Sequence, residues 1–82
     1  MIHYLLPELM AQKSRERGSR LSIKEIAEDT GVSANTLSRM INVPGYSCSV
    51  AVIDDLCHYF GCKVEDLLLY VEDGTGEAPT EA

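Results

Sequence analysis

The 82-residue sequence predicts an all-α fold, a compact bundle of about five helices with room for short strands at its N- and C-terminal ends. Apolar residues recur at helical spacing in several segments. Serines stand where these helices would begin and glycines where they would end. Hydrophobic residues make up 45% of the chain without a long apolar run, which favours one soluble globular domain over a membrane protein.

The N-terminal stretch predicts an extended segment followed by a helix. Residues 2–6 are β-branched, aromatic and apolar, and Pro7 biases the residue before it toward extended backbone. Pro7 also suits the first position of a helix that would run to about Arg17 and stop at Gly18. We expect the basic side chains of this helix to be solvated: Lys13, Arg15 and Arg17.

Residues 22–42 carry two short amphipathic helical patterns joined by a very tight turn. The first begins with a capping box, in which Ser22 accepts from the backbone three residues on and Glu25 reaches back. Gly31 supplies the left-handed backbone of the turn, and Ser33 caps the second helix. Helices joined so closely cannot lie antiparallel, so they cross steeply and leave one helix standing out from the surface.

The second of these helices, residues 33–42, turns small polar groups and one arginine outward. An exposed helix of this kind suits the DNA major groove, where an amide pairs bidentately with adenine and a guanidinium with guanine. The alternative is that these side chains are only solvent-exposed. The predicted base contacts are Asn35, Thr36, Ser38 and Arg39.

At these residues the sequence resembles the helix-turn-helix of the Cro and phage-repressor (XRE-type) DNA-binding family. Ala27 is the small residue at the helix crossing, and Gly31 is the turn glycine four positions later. The hydrophobic positions of the motif are filled by Val32, Leu37 and Met40. The resemblance extends over about residues 5–71, because SVAVIDDLCHYFGCKVEDLL is similar to the family's fourth and fifth helices.

The resemblance implies a transcriptional regulator, most simply a repressor that occludes a promoter by binding a palindromic operator as a homodimer. It also implies phosphate contacts by Arg20 and Lys24, where the N-terminus of a helix adds backbone donors and a favourable dipole. Asn42 is a further phosphate contact by resemblance, although it fits a C-cap equally well. Ser33 and Tyr46 complete the predicted phosphate set, and Tyr46 equally fits an exposed turn.

Three features oppose strong DNA binding. Ile23 replaces the glutamine common at the first position of the family's second helix, and loop 43–48 contains no Lys or Arg. The net charge is −6, with six basic and five acidic residues in 1–42, one and four in 43–71, and none and four in 72–82. These features favour an alternative, a protein-interaction module of the same fold, antitoxin-like or anti-repressor, with weak or no DNA binding.

The cysteines invite a metal-site hypothesis, with Cys57, His58 and Cys62 as ligands and Cys48 or His3 as a fourth. Their spacing is not that of a zinc finger or ribbon, and Cys57 lies on the apolar stripe of the fourth helix, so buried thiols are favoured. We therefore predict no metal and no cofactor. An odd number of irregularly spaced cysteines and the lack of a signal-peptide pattern favour a reducing cytoplasm.

We do not expect an enzyme. The sequence shows no Ser-His-Asp set or carboxylate pair in a setting that would tune it, and 82 residues leave little room for a substrate cleft. The predicted partners are double-stranded DNA, a second copy of the chain and, for regulation, another protein.

The C-terminal part of the sequence divides into a short fifth helix, an apolar segment and an acidic tail. Ser49 or Ser47 would cap the fourth helix, Gly61 would end it, and residues 63–68 form the fifth. The apolar segment that follows allows a short strand, and the family resemblance implies that it pairs with an extended N-terminus like residues 2–6. The segment also exceeds the needs of the core, so it predicts a dimer interface, with core filling as the alternative. The interface residues are Leu68, Leu69, Tyr70 and Val71. We expect a DNA-binding domain over 1–71, with its helix-turn-helix at 22–42, and a disordered acidic tail over 72–82.

Overall fold

The computed structural model describes residues 1–72, which form five helices and two short strands. In chain order the elements are β1 (Ile2–Tyr4), α1 (Leu6–Arg17), α2 (Ile23–Thr30), α3 (Ala34–Asn42), α4 (Val50–Phe60), α5 (Val64–Leu67) and β2 (Leu68–Tyr70). The predicted fold class, five helices with a helix-turn-helix and short terminal strands, is confirmed. The predicted acidic tail lies outside the described residues except for Glu72.

Serine side chains begin three of the helices, as the sequence indicates. Ser22 Oγ accepts from Glu25 N at 3.2 Å, and Ser33 Oγ accepts from Thr36 N at 3.1 Å. Ser49, rather than Ser47, caps α4. Each bond satisfies a backbone N–H that has no partner within its own helix.

The turn between α2 and α3 depends on Gly31. Its φ of 82° lies in the left-handed region, where a side chain is strained, and its N–H donates to Ala27 O at 2.9 Å. The chain then leaves the helix through Val32, whose N–H donates to Thr30 Oγ1 at 3.1 Å. Val32 is itself buried, so the turn is anchored to the core.

One fully buried side chain comes from each helix. Leu6, Ile26, Leu37, Leu56 and Leu67 are all 0% exposed and pack in one cluster. Burying a leucine contributes about 1.5–3 kcal/mol relative to leaving it in water, so these five side chains contribute strongly to the stability of a domain this small. The sequence placed Leu6 in the extended stretch, but it begins α1, and Pro7 therefore takes the second helical position instead of the first.

The terminal ribbon, strands β1 and β2, joins the two ends of the described chain in an antiparallel pair with Ile2 opposite Tyr70. Beyond the paired strands, Met1 and Val71 exchange two hydrogen bonds, each of 2.8 Å. A two-stranded ribbon of this length is marginal by itself, so its order depends on contacts with the helices.

Tyr4 anchors the terminal ribbon to the loop that follows α3. Its hydroxyl donates to Tyr46 O at 2.6 Å and accepts from Cys48 Sγ at 3.3 Å. Burial, followed by the neighbouring Cys48 thiol, raises the pKa of Tyr4 to about 12. The hydroxyl therefore stays protonated, and keeps its donor role, to higher pH than an unperturbed tyrosine does.

None of the helices in residues 1–72 combines the length and the apolar character that crossing a membrane requires.

We predict that Tyr4→Phe lowers the free energy of unfolding at pH 7 by about 1 kcal/mol, because Tyr46 O loses its donor. The pKa of Tyr4 is higher in the folded chain, about 12 against 10.0, so its stabilising effect is complete below pH 10 and is lost between pH 10 and 12. Urea unfolding of the wild type and the variant across this range measures both effects.

Tyr70→Phe is the matched control, because Tyr70 is exposed on the other strand. Equal free energies of unfolding for Tyr4→Phe and Tyr70→Phe at pH 7 contradict the anchoring role of Tyr4. The role is also contradicted if the free energy of unfolding of Tyr4→Phe falls above pH 10 as steeply as that of the wild type.

Candidate nucleic-acid interface

Helix α3 buries one side and presents the other. Leu37 and Met40 point into the core, and Asn35 and Arg39 are exposed one turn apart on the opposite side. Within residues 1–72, neither Asn35 nor Arg39 makes a side-chain hydrogen bond or ion pair. Both side chains are therefore accessible to a partner outside the chain.

Thr36 and Ser38, the other two predicted base contacts, are half-buried and already take part in hydrogen bonds within the helix. Ser33 donates from its hydroxyl to Thr36 Oγ1 at 2.9 Å. Ser38 accepts from the Asn42 amide at its backbone O, 3.0 Å, and at its Oγ, 3.2 Å. These bonds fix the side chains of α3 in place and leave Asn35 and Arg39 as its unconstrained polar groups.

Asn42 closes the last turn of α3 but does not cap it. Helix α3 ends at Asn42, and its C-cap is Val43, whose N–H donates to Arg39 O at 2.8 Å. The Asn42 amide instead binds back onto Ser38. Since its N–H donors face the helix, a phosphate contact by Asn42 requires one of these bonds to be exchanged.

The N-terminus of α2 forms a second polar region. Arg20 and Lys24 are exposed on either side of it, and neither side chain has a partner within the described part of the chain. Ser22 caps Glu25 N, so the N–H groups of Ile23 and Lys24 are left without a protein partner among residues 1–72. Two free N–H groups, a positive helix end and two flexible cations can bind a phosphate.

The sequence suggested that the three basic side chains of α1 are solvated, but two of them have partners within the protein. Lys13 Nζ lies 5.1 Å from the centroid of the Tyr59 ring. Arg17 forms a bidentate ion pair with Glu25, with Nη2 to Oε1 at 2.7 Å and Nη1 to Oε2 at 3.0 Å. A residue separation of eight across a turn gives no periodic signal, so sequence patterns could not identify this pair.

Tyr46 belongs to the loop that follows α3. It is half-buried against the core, and its N–H donates to Val43 O at 3.1 Å in a turn. Its carbonyl accepts from Tyr4, while its hydroxyl has no hydrogen-bond partner in residues 1–72. The Tyr46 hydroxyl is therefore available to a phosphate by its chemistry, as is the hydroxyl of the exposed Ser47 in the same base-free loop.

The cysteines do not assemble a metal site in the part of the chain that the structure describes. Residues 1–72 contain no group of three or more His, Cys, Asp or Glu side chains placed to share an ion. Cys57 and Cys62 instead meet at the end of α4, where Cys62 N donates to Cys57 O at 3.0 Å. Burial, and then the adjacent Cys57, raises the pKa of the Cys62 thiol, which disfavours the thiolate that binds metals.

Comparison with protein families matches residues 6–73 to the Cro/C1-type HTH DNA-binding domain. The match covers α1 to α5 and includes the α2–α3 pair. Neither curated proteins nor solved structures gave a match to the chain.

Proposed function

Because the chain belongs to the Cro/C1-type helix-turn-helix DNA-binding domain family, we propose that it is a sequence-specific transcriptional regulator that reads its operator with α3. The observation that carries this proposal is the pair Asn35 and Arg39, exposed on one face of α3 and without protein partners in residues 1–72. Their chemistry is that of major-groove readout.

In this mechanism α3 lies in the major groove and α2 crosses the backbone. Asn35, near the start of α3, pairs bidentately with adenine, and Arg39, one turn on, binds guanine or a phosphate. Thr36 and Ser38 contact neighbouring bases through hydroxyls that the helix already orients.

Phosphate contacts fix the position of α3 on the duplex. The strongest candidates are Arg20 and Lys24, which flank the free N–H groups at the start of α2. Ser33, Asn42 and Tyr46 are secondary candidates, since Ser33 and Asn42 already hold intrahelical bonds and Tyr46 is half-buried. So few phosphate contacts give weak non-specific affinity for DNA, so the choice of site depends on the base contacts of α3.

We further propose that the regulator is a homodimer joined through the C-terminal segment Leu68, Leu69, Tyr70 and Val71. Leu69 is 48% exposed and Tyr70 is 59% exposed, on the same ribbon as the exposed Ile2. A two-fold dimer places two copies of α3 in successive major grooves of a palindromic operator, about 34 Å apart. Such a dimer acts most simply as a repressor that blocks a promoter.

The proposed DNA-binding domain comprises residues 1–71, and the acidic residues 72–82 are an appended segment. We assign the protein no catalytic role and no cofactor. Because it binds DNA, we expect the protein in the cytoplasm of a prokaryotic or phage-infected cell, where cysteines remain reduced. Its DNA binding is then regulated by the concentration of the protein, by its acidic segment or by a second protein.

The alternative function is a protein-interaction module, antitoxin-like or anti-repressor, with weak or no DNA binding. It is favoured by the net charge of −6 and by the absence of Lys and Arg from residues 43–48. In this case the terminal ribbon binds the partner, and substitutions at Asn35 and Arg39 do not affect the complex.

We expect selection from a random double-stranded DNA pool, followed by sequencing, to enrich a palindrome with the wild-type protein. The double variant Asn35→Ala, Arg39→Ala should enrich none, because both base-reading side chains are removed. Each lost bidentate contact reduces discrimination by about 1–3 kcal/mol. Lys63→Ala, which removes one positive charge outside the helix pair, should select the wild-type site.

No enrichment by a folded wild-type protein at low salt contradicts the DNA-binding proposal and supports the alternative. Enrichment of the same palindrome by the double variant contradicts the assigned roles of Asn35 and Arg39.

We expect Leu69→Lys to raise the dimer dissociation constant at least about tenfold, because a buried ammonium has no partner in an apolar interface. Sedimentation equilibrium measures the effect. Val64→Lys is the matched control, since Val64 is 53% exposed on α5, outside the ribbon. A monomeric wild type, or equal association of both variants, contradicts the proposed interface.

A further inference from the structure

We propose that Arg17 and Glu25 are positioning residues: their ion pair holds the α1–α2 turn and the start of α2 in the geometry that binds phosphate, without itself contacting DNA. This inference rests on the proposed DNA-binding function and identifies two further residues on which it depends.

Four of the five N–H groups of the Arg17 guanidinium are engaged within the protein. Its Nη1 and Nη2 atoms grip both carboxylate oxygens of Glu25, at 3.0 and 2.7 Å. Nη2 also donates to Arg20 O at 2.7 Å, and Nε donates to Ser19 O at 3.1 Å. One side chain at the end of α1 therefore binds two carbonyls of the turn and the first turn of α2.

The hydrogen bonds of Arg17 are needed because the other contacts that hold the α1–α2 turn lie on the side facing α1. Ser14 Oγ accepts from Leu21 N at 2.8 Å, and Leu21 is buried, which fixes the end of the turn against α1. Arg17 fixes the preceding residues, Ser19 and Arg20, from the solvent side. With its carbonyl held, Arg20 can project its own guanidinium from a defined point beside the free N–H groups of α2.

The forked geometry of arginine is essential to this role. A lysine keeps the positive charge but cannot bind two carboxylate oxygens and two carbonyls from one planar group. The hydrogen bond from Arg17 also lowers the pKa of Glu25, so the carboxylate stays ionised to more acidic pH than an unpaired glutamate does. The pair is partly exposed, with side-chain exposures of 31% and 42%, and exposed ion pairs add little to global stability.

Neutralising Glu25 tests the inference, because the two possible roles of its carboxylate predict opposite changes in DNA affinity. A carboxylate beside a phosphate-binding site repels DNA, so its neutralisation should strengthen binding if repulsion is its only influence. If Glu25 instead holds Arg17 and the turn in place, its neutralisation should weaken binding.

The experiment measures operator affinity at several salt concentrations, using the site selected by the wild-type protein. We expect Glu25→Gln and Arg17→Lys each to weaken binding about tenfold and to reduce the salt slope by about one, as expected for one lost phosphate contact. Glu28→Gln is the matched control, an exposed acid on the same helix, and should bind as well as or better than the wild type. Circular dichroism and the melting temperature verify that each variant is folded.

Wild-type affinity or tighter binding in a folded Glu25→Gln variant overturns the inference while leaving the proposed function in place. Retained affinity in Arg17→Lys, with a loss in Arg17→Ala, also overturns it, because Arg17 is then a direct phosphate contact. If the wild-type protein selects no site, the proposed function fails, and the inference fails with it.

Discussion

The burial of one side chain from each helix in a common core is the constraint on which the rest of this structure depends. Leu37 is the fully buried side chain of α3, and it packs in one cluster with Leu6, Ile26, Leu56 and Leu67. Because an α-helix has 3.6 residues per turn, turning Leu37 and Met40 inward necessarily turns Asn35 and Arg39 outward. The surface that we propose reads DNA is therefore a direct consequence of how the domain folds.

Polar contacts at the edges of this core fix the segments that surround α3. Tyr4 ties the terminal ribbon to the loop after α3, and Arg17 ties the end of α1 to the start of α2. The two contacts thus order the segments that flank the helix pair on both sides. They also place the proposed dimer surface and the proposed phosphate site on elements whose geometry is linked to α3.

Local chemistry made much of this predictable from sequence, and contacts distant in sequence account for the rest. Ser22, Ser33 and Gly31 mark helix ends through bonds to residues within four positions, so the helix pair and its exposed face could be derived. The bond from Tyr4 to Tyr46 spans 42 residues, and no spacing rule encodes it. Leu6 looked like a strand residue because burial in a helix and in a strand favours the same side-chain type.

We propose that DNA binds to α3 and the start of α2. Amide chemical shifts of the isotope-labelled protein, recorded during titration with its selected duplex, test this most directly. We expect the largest changes in chemical shift at residues 20–25 and 33–42, with small changes on the outer face of the terminal ribbon. Changes confined to the ribbon, or none at saturating DNA, would contradict it.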